Sequence, residues 1–238
     1  MVPLIHAVGV GPGDPELLTR KAEMVLRRAD VILAPVSNPS EASVALATIR
    51  EFIDEERQQV IVHQFPMTSD RARLVPAWNE AAELIAGHAE AGREVAFITI
   101  GDPLFYSTFI YLLRILREKW PHLPVGIVPG ISSINAAAAQ AALPLVEAEE
   151  KMAVVPATAG IEQIAAALAN FETVVLLKVK PLYSDILQLL RRTGREGSTV
   201  FVERVGSPRQ MVLTDFAEIS AHSPDYLSLL IVKQPCFS

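Results

Sequence analysis

The chain has 238 residues, of which 50% are hydrophobic, enough to bury a substantial core in one large domain or two small ones. Its formal net charge of −6 gives no overall attraction to nucleic acid or to an anionic membrane. We therefore expect neither nucleic acid nor a membrane as a partner.

The sequence also predicts location and metal content. No apolar run approaches the roughly 20 residues that would span a bilayer, and the first residues lack the pattern of a signal peptide, which indicates a cytoplasmic protein. Cys236 is the only cysteine, so an internal disulfide and a multi-thiolate metal site are excluded. We expect no protein-bound metal, because no ligand spacing relates the histidines His6, His63, His88, His122 and His222.

The first half alternates short β-rich runs with amphipathic helical stretches, which indicates βαβ units and a parallel sheet. The predicted strands are Leu4–Val10, Val31–Ala34, Val60–Gln64, Val95–Ile100 and Val125–Val128. The predicted helices are Asp14–Ala29, Glu41–Phe52, Val75–Ala91 and Phe105–Lys119. In the first helix, Asp14 is expected to cap the N-terminus and Pro15 to lie in the first turn. Its predicted apolar face comprises Leu18, Ala22, Val25, Leu26 and Ala29.

The second half begins with a predicted helix, Ile134–Ala142, and an acidic stretch, Pro144–Glu150, that fits neither periodicity. This stretch is either the start of a second sheet or a linker to it. The strands that follow are Met152–Val155, Thr173–Lys178, Thr199–Arg204, Met211–Leu213 and Leu227–Val232, and the helices are Ile161–Leu168 and Leu182–Arg192. Because no long helix separates the last two strands, we expect a mixed sheet with an antiparallel portion.

Three motifs each follow a predicted strand and lead into a helical pattern: Gly9–Asp14, Gly101–Ser107 and Pro129–Ser133. The carboxyl ends of parallel strands meet at one edge of a sheet, so these turns are expected to gather there and to bind a ligand.

Taken singly, each motif has a structural alternative. The glycine turn invites a dinucleotide-binding interpretation, but Pro12 has no N–H for a phosphate and the second strand ends without an acidic residue, so a purely structural turn is favoured. The aromatics of the loop 101–107 suit a flat ligand such as adenine, or form a hydrophobic staple over the helix start. Ser132 and Ser133 bind a carboxylate or ribose, or simply cap a helix.

Basic residues near predicted loop ends could form an anion-binding rim on this acidic protein. They are Arg71, Arg73, Lys151, Lys178, Lys180, Arg204 and Arg209. No Gly-x-Ser-x-Gly elbow and no Walker-type phosphate loop occurs, which disfavours a hydrolase or a P-loop nucleotidase.

In this order, the motifs resemble those of the tetrapyrrole methylases, the S-adenosylmethionine-dependent C-methyltransferases of corrin and sirohaem synthesis. The resemblance covers nearly the whole chain. It rests on Gly9–Ala22 as the opening signature, Gly101–Ser107 as the cofactor loop, Pro129–Ser133 as the third motif and Glu203–Gln210 as the late motif. Within the family, Pro35–Ser43, Gln64–Thr68 and Gly101–Phe109 resemble the enzymes that methylate C20 of precorrin-2 or cobalt-factor II.

The resemblance implies an α/β protein of two domains with the active site in the cleft between them. Residues 1–128 are expected to form an N-terminal α/β domain with a parallel sheet, and residues 129–238 a C-terminal α/β domain with a mixed sheet. A homodimer is expected, since the family is commonly dimeric.

The resemblance also implies site residues. The expected contacts to S-adenosylmethionine are Pro12, Ile100, Gly101, Asp102, Pro103, Leu104, Tyr106, Ser132, Ser133, Lys178, Val205, Leu227 and Ser228. Lys178 departs from the family pattern, in which an apolar residue is common, and is alternatively expected at substrate carboxylates. Nothing in the sequence identifies the base that removes the C20 proton; Tyr106 is a candidate.

The function implied is methylation of C20 of an anionic tetrapyrrole, precorrin-2 or cobalt-factor II, in cobalamin biosynthesis. Three alternatives stay open. The protein could be another position-specific tetrapyrrole methylase, such as a uroporphyrinogen III or precorrin-4 methyltransferase, or a non-catalytic tetrapyrrole-binding protein. It could also be a relative that acts on a diphthamide precursor or on ribosomal RNA, although the acidic net charge disfavours RNA.

Overall fold

The computed structural model describes residues 4–38, 42–68 and 70–234. Contacts between Cα atoms divide the chain into two compact units, Met1–Ser132 and Ser133–Ser238. The expected domain boundary after residue 128 stays a prediction.

The first unit contains a five-stranded sheet of order β3-β2-β4-β1-β5 in which every pairing is parallel, as predicted. Its strands are β1 (Ile5–Gly9), β2 (Val31–Val36), β3 (Gln59–Gln64), β4 (Val95–Thr99) and β5 (Val125–Val128). Its helices are α1 (Arg20–Arg28), α2 (Val44–Ile49), α3 (Arg71–Glu90) and α4 (Phe109–Lys119). The expected start of α2 at Glu41 lies outside the described residues.

The sheet is covered on both faces, because successive strand residues point to opposite sides. Ala7, Leu33 and Phe97 pack with α3 and α4 on one face. Val8, Ile32 and Ile98 pack with α1 and α2 on the other. The neighbouring strands β1 and β4 are therefore followed by helices on opposite faces of the sheet, α1 after β1 and α4 after β4. The gap between the carboxyl ends of these two strands is a topological switch point, and open α/β sheets bind ligands at such points.

The first helix begins later than predicted. The Asp14 carboxylate accepts a hydrogen bond from the Glu16 N–H at 2.9 Å, and this caps a short 3-10 turn, Pro15–Leu17. The Thr19 hydroxyl accepts the Ala22 N–H at 3.2 Å and caps α1 itself. The prediction that Asp14 caps the helix was therefore wrong. The predicted apolar face is confirmed for the residues inside and just after α1, because Ala22, Val25, Leu26 and Ala29 are all buried.

The second unit contains a five-stranded sheet of order β6-β7-β10-β8-β9. Its strands are β6 (Met152–Pro156), β7 (Thr173–Leu177), β8 (Thr199–Glu203), β9 (Met211–Leu213) and β10 (Ser228–Lys233). β6 and β7 are parallel, whereas β10 runs antiparallel to β7 and β8, so the expected mixed sheet is confirmed. The helices are α5 (Ser133–Gln140), α6 (Ile161–Asn170), α7 (Tyr183–Arg192) and α8 (Phe216–Ala221), and α6, α7 and α8 share one core with the sheet.

The acidic stretch 144–150 is a connection tied to the second sheet, not a strand. The buried Lys233 ammonium, at the end of β10, donates to the Pro144 carbonyl at 2.9 Å and lies 3.0 Å from the Glu150 carboxylate. The Thr173 hydroxyl, at the start of β7, donates to the Leu145 carbonyl at 2.6 Å. These contacts hold the connection at the end of the sheet where β7 begins and β10 ends.

Candidate functional site

The three motif loops meet at the carboxyl edge of the first sheet, as predicted. They follow β1, β4 and β5, and these are neighbours in the order β4-β1-β5. The Val10 N–H donates to the Thr99 carbonyl at 2.9 Å, and the Gly101 N–H donates to the Gly11 carbonyl at 2.7 Å. Main-chain hydrogen bonds therefore continue the pairing of β1 and β4 past the end of the strands.

Glycine is required where the three loops touch. A Cβ atom at Gly9 would lie 2.5 Å from the Gly101 oxygen and 2.6 Å from the Gly130 nitrogen, and one at Gly130 would overlap the Gly101 oxygen. Real Cβ atoms do not approach main-chain atoms so closely, so these two positions admit no side chain. Gly101 itself has φ of 69°, a left-handed conformation that favours glycine.

The loop after β4 is closed by polar side chains. The Thr99 and Ser107 hydroxyls, both buried, lie 3.1 Å apart, and the Ser107 hydroxyl accepts the Phe109 N–H at 3.2 Å. Asp102 binds two main-chain groups: Oδ1 accepts the Leu104 N–H at 2.8 Å, and Oδ2 accepts the Gly130 N–H at 3.1 Å. The loop is thus fastened both to its own strand and to the loop after β5.

Three large side chains at the tip of this loop are exposed: Leu104 by 50%, Phe105 by 40% and Tyr106 by 48%. The Phe105 and Tyr106 rings meet edge to face with centroids 4.9 Å apart. Helix α4 begins at Phe109, which is fully buried. These aromatics therefore do not form the alternative hydrophobic staple, and they offer an apolar surface to a flat ligand.

Tyr106 has a strained backbone. Its φ of 53° places a bulky residue in the left-handed region, where such residues are rare and where strain clusters at ligand-binding positions. Its role as the base that removes the C20 proton stays a prediction.

The charge of this edge disfavours a phosphate ligand. The only charged side chains in the segments 9–14, 100–108 and 129–133 are Asp14 and Asp102, and both are acidic. Pro12 offers no N–H, and α1 begins only at Arg20, so the first turn of that helix does not follow the glycine turn directly. The loops therefore fit a cationic ligand better than a pyrophosphate.

The site residues expected in the second half fall into two places. Ser133 is the first residue of α5. The other four collect at one edge of the second sheet, where β7 and β8 end and β10 begins; they are Lys178, Val205, Leu227 and Ser228. Lys178 and Arg204 have φ of 55° and 49°, and the Arg204 N–H donates to the Leu227 carbonyl at 2.8 Å. Val205 and Ser228 are buried, and Leu227 is exposed.

A polar network that the sequence did not predict supports this second edge. The buried Glu203 carboxylate accepts the Asp225 N–H at 2.6 Å and lies 3.1 Å from His222 Nε2. Arg204 pairs with Asp225, and the Ser228 hydroxyl donates to the Asp225 carbonyl at 2.6 Å. Glu203 and Arg204 belong to the late motif, but their partners lie about 20 residues away in the connection between α8 and β10. No local pattern identifies such pairs.

Two pKa values in this network are displaced. Burial alone would raise the pKa of Asp225, but the Tyr226 N–H and the Arg204 guanidinium outweigh it and hold that pKa below its ordinary value. Burial raises the pKa of the Tyr183 phenol to about 12, and the Glu203 charge adds to the effect. The Tyr183 hydroxyl donates to the Ile219 carbonyl at 2.8 Å and so stays a neutral donor.

The basic residues proposed as an anion-binding rim are spread over the chain. Four lie at the carboxyl edge of β7 and β8, namely Lys178, Lys180, Arg204 and Arg209. Lys151 precedes β6 at the opposite edge, and Arg71 and Arg73 begin α3 in the first unit.

The part of the chain that the structure describes shows neither a metal-binding cluster nor a membrane-spanning helix. It contains no group of three or more histidine, cysteine, aspartate or glutamate side chains that could hold a metal ion. It also contains no helix that is both long and apolar enough to cross a membrane. Cys236, the only cysteine of the sequence, lies outside the described residues.

Comparison with known proteins gives the family. The model of the tetrapyrrole (corrin/porphyrin) methylases matches residues 4–220. The cobalt-precorrin-2 C(20)-methyltransferase of Salmonella typhimurium is 33% identical over 232 residues, which cover 97% of this chain and 96% of that protein. A probable cobalt-precorrin-2 C(20)-methyltransferase of Methanocaldococcus jannaschii is 36% identical over 244 residues, 98% of this chain and 97% of that protein.

A solved structure shows the same fold. The uroporphyrin-III C-methyltransferase of Thermus thermophilus, complexed with S-adenosylhomocysteine, superposes with a TM-score of 0.69 at 24% identity, over 96% of each chain. The architecture, the three motif loops and the matches over almost the whole chain agree, and the chain belongs to the tetrapyrrole (corrin/porphyrin) methylase family.

Proposed function

We propose that this protein is an S-adenosylmethionine-dependent methyltransferase that methylates C20 of precorrin-2 or cobalt-factor II in cobalamin biosynthesis. The observation that carries the proposal is the meeting of the three motif loops at the switch point of the first sheet, in a family of methylases. The names of the two relatives support C20 as the position.

The loops of the first unit fit the methyl donor. S-adenosylmethionine would supply a methyl group on a positively charged sulfur, already activated for transfer to a nucleophilic carbon. The acidic loop edge suits that charge, and the exposed Leu104, Phe105 and Tyr106 suit the adenine ring. The residues proposed to hold the donor here are Pro12, Ile100, Gly101, Pro103, Leu104, Tyr106 and Ser132. Contacts from Ser133, Val205, Leu227 and Ser228 rest on the family resemblance. The same resemblance suggests a donor contact for Lys178 as the alternative to a role at the substrate carboxylates.

The residues act mainly by orientation. Loops fixed by close main-chain contacts can hold a donor in one pose, and excluding water from the reacting carbon removes a competing solvent shell. A base is needed only to accept the C20 proton after methyl transfer, and the Tyr106 hydroxyl is the candidate. Lys178, Lys180, Arg204 and Arg209 are proposed to bind the carboxylates of the tetrapyrrole.

Assembly and location belong to the same proposal. The family resemblance suggests a homodimer, and the composition suggests a cytoplasmic enzyme. Any cobalt is proposed to arrive chelated in the substrate.

Two measurements test the proposal. Calorimetry is expected to show binding of S-adenosylhomocysteine; absence of binding would favour a non-catalytic tetrapyrrole-binding protein. Incubation of enzymatically prepared precorrin-2 or cobalt-factor II with labelled methyl donor is expected to give a product with one additional methyl group. The proposed substrate would be contradicted if the methyl group were transferred to uroporphyrinogen III or to an RNA, but not to precorrin-2 or cobalt-factor II.

A further inference from the structure

One carboxylate joins two of the motif loops. Asp102 Oδ1 accepts the Leu104 N–H at 2.8 Å within its own loop. Asp102 Oδ2 accepts the Gly130 N–H at 3.1 Å from the loop after β5. Both oxygens of this side chain are therefore bonded to main-chain N–H groups.

The chemistry of these two bonds requires a carboxylate. An ionised carboxylate accepts hydrogen bonds at both oxygens, whereas the amide of asparagine accepts at one atom and donates at the other. At position 102 an amide group would therefore set its NH₂ against one of the two N–H donors. Charge-assisted bonds are also stronger than neutral ones, which favours a carboxylate where a loop must be held in place.

The Gly130 bond lies at the point of closest approach. Gly130 touches the main chain of Gly9 and Gly101 so closely that neither Gly9 nor Gly130 has room for a Cβ atom. Asp102 thus fastens the third loop where it meets the other two. By contrast, Asp14 Oδ1 binds Glu16 N–H within the first loop, at 2.9 Å.

We propose that Asp102 is a positioning residue: its carboxylate holds the loops after β4 and β5 together in the arrangement that binds the methyl donor, and it acts through those loops, not by contact with the donor. This inference rests on the proposed function. It revises the expectation from sequence that Asp102 itself contacts the cofactor.

The experiment compares Asp102→Asn and Asp102→Ala with matched variants at Asp54. Asp54 Oδ1 also accepts two main-chain N–H groups, from Glu56 at 3.1 Å and Arg57 at 3.3 Å, but within one turn and away from the motif loops. Each variant is measured by calorimetry with S-adenosylhomocysteine, by urea unfolding, and by hydrogen exchange of the Gly130 amide in the full-length protein.

Asp102→Ala is expected to weaken S-adenosylhomocysteine binding by about 10- to 100-fold and Asp102→Asn by about tenfold, because they lose two bonds and one bond to a charged acceptor. Both should speed exchange at Gly130. Asp54→Ala should lower stability to a degree similar to Asp102→Ala and leave the affinity unchanged. Asp54→Asn should change neither, because its one amide oxygen can still accept both the Glu56 and the Arg57 N–H. Should Asp102→Ala fail to fold, Asp102→Asn, which keeps the shape of the side chain, supplies the comparison.

Two results would overturn the role of Asp102. Weaker binding with unchanged Gly130 exchange would mean that Asp102 contacts the donor directly. Faster exchange with unchanged affinity would mean that the joined loops do not matter for binding. A wild-type protein that does not bind S-adenosylhomocysteine would instead contradict the proposed function, and this inference with it.

Discussion

Gly9 and Gly130 illustrate how single residues determine the site. Each lies against the main chain of the other and of Gly101. Because neither has a side chain, the loops that follow β1, β4 and β5 can pack together. The sequence predicted the gathering of these loops from strand order, but the contacts between glycines depend on three segments far apart in the chain, which no local pattern reveals.

Gly130→Ala is expected to destabilise the protein by about 1–3 kcal/mol, because the new Cβ would overlap the Gly101 oxygen. Urea unfolding measures the change, and calorimetry should show weaker S-adenosylhomocysteine binding. The control is Gly87→Ala in α3, where a Cβ meets nothing within 4 Å and alanine should stabilise by about 0.5–1 kcal/mol. Equal effects of the two substitutions would contradict the close packing of the loops.

Asp225 gives a prediction for acid stability. Its pKa in the folded protein lies below the ordinary 3.8, so its ionised form stabilises the fold above pH 3.8, and this stability is lost as the pH falls through the lower folded-state value. Asp225→Asn should therefore be less stable than the wild type at neutral pH, and the difference should shrink below pH 3.8. Unfolding curves across this range measure it, and a constant difference would refute the role of the charge.

At the scale of elements, periodicity was sufficient to predict most strands and helices, whereas helix starts were predicted less well. Alternation of apolar runs identified all ten strands of the described segments within one or two residues of their observed bounds. The helix expected from Phe105 begins at Phe109, because residues 101–108 form the loop that follows β4. The helix expected from Val75 begins at Arg71, since the Asp70 side chain caps it at Ala72 N–H, 2.9 Å away.

Thr19 provides the test of where the first helix begins. Thr19→Ala should cost about 1 kcal/mol of stability, because the Ala22 N–H loses its acceptor. Thr19→Ser retains the hydroxyl and should stay close to the wild type. Thermal or urea unfolding distinguishes them, and equal stabilities for the Ala and Ser variants would show that Thr19 does not cap α1.

At the scale of the whole molecule, long-range polar contacts fix what local patterns leave undecided. The acidic stretch 144–150 could have been a strand or a linker, and its place depends on Lys233 and Thr173, which lie far along the chain. The second polar network joins Glu203 to His222 and Asp225 in the same way. The sequence alone predicts the two classes of sheet, but it does not predict these contacts.

Lys233→Met should destabilise the second unit by about 3 kcal/mol, because it leaves the buried Glu150 carboxylate without its cation. Adding Glu150→Leu should recover much of the loss, since a buried pair replaced by apolar groups is often neutral. The control is Lys119→Met, whose exposed pair with Glu83 at 3.5 Å should matter by less than about 1 kcal/mol. A double variant no more stable than Lys233→Met would contradict this interpretation.

The position of the new methyl group tests the proposed function most directly. The enzyme is incubated with precorrin-2 or cobalt-factor II and a donor labelled with carbon-13 in its methyl group, and the product is examined by NMR. We expect a single labelled methyl group on C20. A labelled methyl on any other carbon, or no transfer to either substrate by a protein that binds S-adenosylhomocysteine, would contradict the proposed function.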